Sequence, residues 1–445
     1  MAAEAELDLA RAVVEYALRA GAEEAEATVT VADRFSTEAR GTEVAKLEQS
    51  VARGVTLRVF QRGAKATLST SDLSPESLRA FAAETVAAAR FVTPDANGGL
   101  PERDAFAYAA PDLPTYAQDV RARPPEAKIA DALALERIVR ETDPRIDNSS
   151  GSRVADAATT VALANSLGFA GSYRATQAVA SSGPIARDGA DRRPGSYGSA
   201  ARSYARLESM EAIGGKAARR AVASIGARKP ATTRCPVIFD RDVAALVLAD
   251  FFTAVSAASV AVGNSFLTGR VGETIGSALA TIVDDGLLPE GLGTSPFDAE
   301  GVAARRTVVV ERGVLRTFLY DTYYARRLGA ASTGNAAGGA IGPNNFYLEP
   351  GAETPDALIA ATPRGVFITD TIGFATESVT GTYSRGARGF AIENGELAYP
   401  IDEFTIAGNL LGMLAAIDAV ANDLVYDQSI VSPTFRIAEM TVSGT

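Results

Sequence analysis

The chain of 445 residues contains no histidine and no tryptophan, and its single cysteine is Cys235. Without histidine there is no Ser-His or Cys-His nucleophile pair, no histidine-ligated zinc, and no side chain that titrates near neutral pH unaided. One cysteine cannot close an internal disulfide, a pattern that fits a reducing compartment. Positive charge is also scarce: 43 Lys and Arg face 54 Asp and Glu, a formal charge of −11. That balance argues against a nucleic-acid or anionic-membrane partner, because neutralising phosphates needs clustered cations. The exception is residues 187–229, with ten Lys/Arg against four Asp/Glu but only Tyr197 and Tyr204 as aromatics, which reads as a solvated helix face. Long apolar runs are missing too. The uncharged stretch 251–269 is interrupted by Thr253, Ser256, Ser259, Asn264, Ser265 and Thr268, which is unsuited to a membrane. Glu4, Glu6 and Asp8 stand where a signal peptide carries basic residues, so a cytoplasmic location is expected.

What is present is enough apolar residue, 47%, for two or three packed domains. Apolar spacing predicts a helix over 7–20 stopped by Gly21, alternating strands at 27–32 and 54–60, and a helix from Ser74-Pro75 to about 90. Residues 91–125 are rich in Pro, Ala and Asp without a period and read as a surface linker. A helix over 126–142 follows, then strands at 153–163 and 169–180 joined by the turn Asn165-Ser166-Leu167-Gly168, and a helix near 205–225. The break at Arg228-Lys229-Pro230 sets the main boundary, giving domains 1–229 (sub-units about 1–90 and 126–229) and 230–445. The second half reads as scattered strands (280–283, 307–310, 365–369, 435–442) with helices near 243–255 and 405–420. The expected class is α+β: an N-terminal region of small sheets with covering helices, then a large, mostly antiparallel sheet domain with few helices.

Candidate chemistry is thin. Asp284, Asp285, Asp298 and Glu300 could converge on Mg²⁺ or Ca²⁺, which take several carboxylate oxygens, although their spacing fits no EF-hand loop and Asp-Asp-Gly is also an ordinary turn. The Gly-rich stretch Ser332-Thr333-Gly334-Asn335 through Gly342 lacks the Lys-Ser/Thr of a phosphate loop and reads as a loop lining a cleft. Ser265 lies in no nucleophile elbow, and Cys235, just before a buried-looking strand, reads as an inert thiol.

An ordered set of landmarks is more specific. Gly21-Ala-Glu-Glu-Ala-Glu26, Gly54-Val-Thr-Leu-Arg58, Ser71-Asp-Leu-Ser74 and Asn165-Ser-Leu-Gly168 are followed by Ser265-Phe-Leu-Thr-Gly-Arg-Val-Gly-Glu273, Thr281-Ile-Val-Asp-Asp-Gly286 and Phe297-Asp-Ala-Glu-Gly301. Ser332-Thr-Gly-Asn335, Tyr347-Leu-Glu-Pro-Gly351 and Ile392-Glu-Asn-Gly-Glu396 complete the order. Nearly the whole chain thereby resembles the TldD/PmbA (TldE) family of bacterial peptidases. In the TldD kind, the resemblance implies, an H-E-x-x-x-H helix and a downstream cysteine hold zinc. Spacing from Val271-Gly-Glu273 puts the matching window at Leu248, Ala249, Asp250 and Thr253, or Ala254 after a one-residue slip. Only Asp250 could ligate a metal, and the cysteine-bearing segment is missing between Leu424 and Ser432.

The resemblance is therefore to the PmbA/TldE kind. It implies no catalytic or metal residue and no cofactor in this chain, zinc in a TldD-type partner subunit, and unfolded or short peptides as substrate. The uncharged Gly/Asn loop 332–345, beginning with Ser332, Thr333, Gly334 and Asn335, is the candidate groove lining. Two alternatives stay open. One is a stand-alone homodimeric peptide-binding or scaffold protein; the other is activity through the four carboxylates and a hard metal.

Overall fold

A computed structural model describes residues 2–108, 111–373 and 376–444. Helix α1 (Ala2–Arg19) leads into a long hairpin, β1 (Glu24–Arg40) and β2 (Glu43–Gln61), paired from Glu24 opposite Phe60 to Arg40 opposite Glu43. Gly41 supplies the left-handed backbone of this tight turn at φ +69°. β3 (Ala64–Thr70) pairs with the far end of β2, and α2 (Pro75–Ala89) starts at Ser74, whose Oγ accepts the Ser77 amide at 3.3 Å. After α3 (Gln118–Ala122) and α4 (Pro125–Thr142) come β4 (Ile146–Asn165), β5 (Ala170–Asp188), β6 (Asp191–Pro194), β7 (Tyr197–Ala201) and α5 (Met210–Ala223).

These strands form one seven-stranded antiparallel sheet, β3-β2-β1-β4-β5-β6 with β7 beside β5. Alternation assigns its faces. Ala25, Ala27 and Val29 of β1 pack under α1 and α2, while Ala39, Val154 and Ala180 pack under α4 and α5. The opposite face carries Thr30, Arg34, Arg153 and Gln177, all exposed. The α+β class stands, but the strands run well beyond 27–32 and 54–60, because residues 33–53 serve a sheet that is solvated on one side and so lack an apolar signature.

Residues 100–108 and 111–125 are packed at several points rather than forming a purely surface linker. Leu100, Phe106, Ala107 and Val120 are buried, and Phe106 stacks on Phe169 at 5.2 Å and bridges Val302. Sparse aromatic anchors hold them without any period. The basic residues 187–229 also differ from the solvated helix face expected. They span β5 to α5, and Arg202 is buried, donating to Gly291 O, Leu292 O and Thr294 O at 2.6–3.1 Å.

In the second half, β8 (Thr233–Phe239) runs parallel to β15 (Arg364–Ile372) inside a six-stranded sheet. Its other strands are β16 (Thr382–Glu393), β17 (Glu396–Asn409), β18 (Ile417–Val420) and β20 (Phe435–Ser443). A five-stranded sheet holds β9 (Ile282–Asp285), β10 (Arg306–Glu311), β11 (Val314–Leu315), β14 (Phe346–Leu348) and β19 (Ile430–Val431). The short hairpin β12 (Ala336–Ala337) and β13 (Ala340–Ile341) stands apart. Helices α6 (Arg241–Val255), α7 (Ala257–Ala261), α8 (Thr322–Leu328) and α9 (Pro355–Ala360) cover these sheets, and the largest core gathers Phe239, Phe251, Phe346, Tyr383 and Phe404. The helix expected over 405–420 is not there. Thr405 to Asn409 pair with β16, and only α10 (Leu410–Ala415) is helical, begun by Asn409, whose Oδ1 accepts the Leu411 amide at 3.1 Å. The apolar run suits both periods, and two neighbouring strands decide it.

Candidate functional site

The degenerate window lies on α6, which is capped by Asp240 and buried along Val243, Val247, Phe251 and Ala254. Leu248 and Ala254 point into the core, Ala249 is half-buried, and Thr253 is exposed with its hydroxyl donating back to Ala249 O at 3.3 Å. Asp250 carries the window's one carboxylate. Arg385 Nη2 on β16 donates to both its oxygens at 3.0 and 2.7 Å, and Thr376 Oγ1 donates to Oδ2 at 2.7 Å. Arg385 is anchored in turn by donation to Gly373 O at 3.2 Å. The window's one carboxylate is thus neutralised by a guanidinium. A catalytic zinc wants three protein ligands, and these residues offer one carboxylate already bound. The residues do not fit zinc. Downstream, Asp423 ties the short loop before β20 by accepting the Thr434 amide and hydroxyl, both at 2.8 Å.

The four other carboxylates do not converge. Asp284 is fully buried at the end of β9 and accepts Asn335 Nδ2 at 2.7 Å, with the Asn344 amide and Nδ2 both at 2.8 Å. Burial raises its pKa to about 6 against those donors. Asp285 caps the next turn through the Leu287 amide at 2.9 Å. Asp298 accepts the amides of Glu300, Val302 and Ala336 at 2.8–3.0 Å, and burial, then Glu300 beside it, pushes it up to about 8. Glu300 turns the other way, accepting Arg58 Nη1 at 3.0 Å and the Thr322 amide at 3.0 Å. Among the described residues no group of three or more His, Cys, Asp or Glu could hold a metal ion.

The candidate groove loop and the acidic motif are one structure. Thr333 Oγ1 and Asn335 Oδ1 lie 2.7 Å apart, Asn335 Nδ2 reaches Asp284, and Gly334 takes φ +76° where a Cβ would stand 2.9 Å from Ala303 O. Ser332 Oγ sits 3.3 Å from Tyr320 O. Asn345 links the loop to its neighbour, donating to Asp285 O at 2.6 Å and accepting the Gly293 amide at 2.9 Å. Gly293 is required there, because a Cβ would fall 1.8 Å from Asn344 O. The hairpin β12–β13 rises from this base with Ala337, Gly338, Gly339 and Ala340 exposed.

Between hairpin and N-terminal sheet lies a cavity of about 320 Å³ lined by Thr28, Tyr173, Phe297, Asn335, Ala337 and Asn344 among others. Its frame is fixed from both sides. Arg202 holds the carbonyls of residues 291–294, with burial lowering its pKa to about 10, and Arg58 of β2 bridges Glu26 of β1 to Glu300 and Ala299 O. Nothing in the sequence marks Arg385 or Arg202, whereas Asn344 and Asn345 belong to the Gly/Asn loop 332–345 expected to line a groove. Arg58 is visible as the one charge in the strand expected at 54–60. Cys235 is buried, which lifts its thiol to about 11. Among the described residues no helix is long and apolar enough to cross a membrane.

Three family models match: PmbA/TldA metallopeptidase domain 1 over residues 25–89, the central domain over 118–225 and the C-terminal domain over 232–444. The chain is 33% identical to a protein named metalloprotease PmbA homolog from Haemophilus influenzae, over 97% of this chain and 94% of that one. The crystal structure of a proposed modulator of DNA gyrase from Bacteroides thetaiotaomicron superposes with a TM-score of 0.93 at 27% identity, covering 98% of each chain. TldE from Thermococcus kodakarensis shares the fold, with a TM-score of 0.90 at 20% identity over 98% of this chain and all of that one.

Proposed function

Because the chain belongs to the PmbA/TldD metallopeptidase family, we propose that it acts as the PmbA/TldE-like, non-catalytic subunit of a heterodimeric zinc peptidase for unfolded or short peptides. The zinc is supplied by a TldD-type partner in the cytoplasm. The observation that carries this reading is the closed state of the α6 window, where Asp250 is bound by Arg385 and Thr376. What this chain contributes is a wall of the substrate cleft. The cavity above Asn335 and Asn344 is lined by the apolar Val161, Leu163, Tyr173 and Phe297 together with the backbone of the small residues Ala336, Ala337 and Gly342, which suits an extended peptide held by main-chain pairing and apolar contact.

Co-expression with the TldD-type subunit from the same genome tests this. The expected outcome is a one-to-one complex that cleaves a disordered peptide, while this chain alone is inactive and contains zinc well below one equivalent. An active, zinc-loaded single chain sinks the reading, as does a partner whose assembly and activity are indifferent to this chain.

A further inference from the structure

The cavity beside the β12–β13 hairpin is built on the face of the N-terminal sheet that carries no helices. Thr28 of β1, Leu163 of β4 and Gly171 of β5 stand in one cross-strand row, and Val161 faces Tyr173 in the next. Residues of one row share a face, so the row has room for a third side chain where Gly171 has none. That room is taken from the other half of the molecule. A Cβ at Gly171 would fall 2.8 Å from the Phe297 ring and 2.9 Å from the Phe169 ring, so the glycine lets Phe297 lie against the sheet.

Phe297 is one rung of a ladder of rings that stops at the cavity. Phe106 stacks on Phe169 at 5.2 Å, Phe169 meets Phe297 edge to face at 5.3 Å, and Phe297 meets Tyr173 edge to face at 5.2 Å. The three phenylalanines are buried, whereas the terminal Tyr173 is half-buried and lines the cavity together with Phe297. The polar groups of the lining are largely spent. Asp298, its one charged residue, has both oxygens held by backbone amides, and the side-chain amides of Asn335 and Asn344 donate to Asp284. Ser295 Oγ donates to Phe297 O at 3.0 Å. A charged side chain entering here would lose its water without gaining a free partner.

We propose, on the reading of this cleft as one wall of a peptide site, that the cavity takes one aromatic side chain of the bound peptide as the fifth ring of the ladder. Its volume of about 320 Å³ is at the small end of ligand pockets and suits a single large side chain. Aromatic pairs gain from edge-to-face or offset contact with centroids about 4.5–7 Å apart, the spacing that the four rings already keep. An extended peptide turns alternate side chains to one face, so a ring in the cavity points its two neighbours away from the sheet.

The chain has no tryptophan, so the indole of a peptide is the one indole in a mixture of the two. Titrating the chain into a disordered peptide with a single Trp should shift its emission to the blue. The same peptide with Phe in place of Trp should displace the probe at roughly 2- to 10-fold lower concentration than the version with Leu. Versions with Ala, Lys or Asp should need more still. Tyr173→Leu, with circular dichroism like that of the wild type, should bring the Phe and Leu versions level, and Tyr173→Phe should keep them apart. In the complex with the TldD-type subunit, kcat/KM should follow the same order. An unshifted emission, displacement by Lys or Asp as readily as by Phe, or a Phe-to-Leu ratio unmoved in Tyr173→Leu overturns the proposal. A complex that cleaves all versions equally well overturns it while the subunit reading stands. Aromatic-selective binding by a chain that forms no active complex supports it while that reading falls.

Discussion

Asp250 on α6 and Asp284 on β9 are both carboxylates that the sequence marks for metal, and the structure closes each in a different way. Asp250 is neutralised by a cation, Arg385, on a site with some solvent access, through one long-range ion pair. Asp284 has no cation. Three N–H groups from Asn335 and Asn344 surround it in a fully buried site, and the loop that lines the cavity is at the same time the shell of this one side chain. The pair teaches that an acidic motif can be structural in two senses. Charge pairing closes a site locally, whereas amide coordination uses the carboxylate to shape everything around it.

The strongest way to break that comparison is Asp284→Ala. It strands the buried Asn344 amide and removes one of the two acceptors of each Asn335 and Asn344 side-chain amide, and should cost roughly 3–5 kcal/mol, since unpaired buried polar groups cost about 1–3 kcal/mol each. Urea unfolding measures the total, and hydrogen exchange should rise across residues 334–345 while α6 stays protected. A loss no larger than that of Asp250→Ala would mean that the loop does not depend on Asp284.

Arg385→Ala is the next largest effect. It leaves Asp250 partly buried with only Thr376, and a loss of about 2–3 kcal/mol is expected. The double variant D250A/R385A should lose less than the sum of the two, by about 1–2 kcal/mol, if the pair is as direct as its geometry. Metal analysis sharpens the point. Freeing Asp250 from its guanidinium should still leave zinc far below one equivalent, because one ligand is not three. Stoichiometric zinc in Arg385→Ala would show that the guanidinium alone keeps metal out.

How much of this was legible differs by element for physical reasons. Helices α1, α2, α4 and α6 announce themselves because each buries a continuous stripe and carries its own start signals, Ser74-Pro75 and Asp240 among them. Residues 33–53 hid their strands, since a sheet solvated on one face and open at one edge needs no apolar alternation. Residues 405–420 misled in the opposite way, because a helix-like run was claimed by β16 and β20. At the site, the sequence supplied the acidic residues but not their partners. Nothing local announces that Arg385 will meet Asp250 from 135 positions away, or that Asn344 will meet Asp284 across 60. The separation of Asp284 from Asp298 and Glu300 depends on that same long-range pairing.

The smallest effect separates burial from pairing through pH. Glu26 sits beside Arg58, yet one of its oxygens, Oε2, is buried with no hydrogen-bond partner, and burial lifts its pKa from 4.5 to about 7 despite the arginine. Asp298 is pushed up as well in the same junction, by burial and then by Glu300 beside it. Both folded values exceed the unfolded ones, so the native state holds protons that the unfolded chain has released. The stabilisation from those protons is complete below about pH 4 and is lost as pH rises through about 7 and beyond, by at most about 1.4 kcal/mol per pH unit for each group. Glu26→Gln is neutral throughout and should make the stability curve between pH 5 and 7 shallower by up to one proton, while Asp298→Asn should flatten it over the same window and further towards high pH. Parallel curves for Glu26→Gln and the wild type would mean that Arg58 outweighs burial at Glu26, which would place this pair with Asp250 and Arg385 as a site closed by charge.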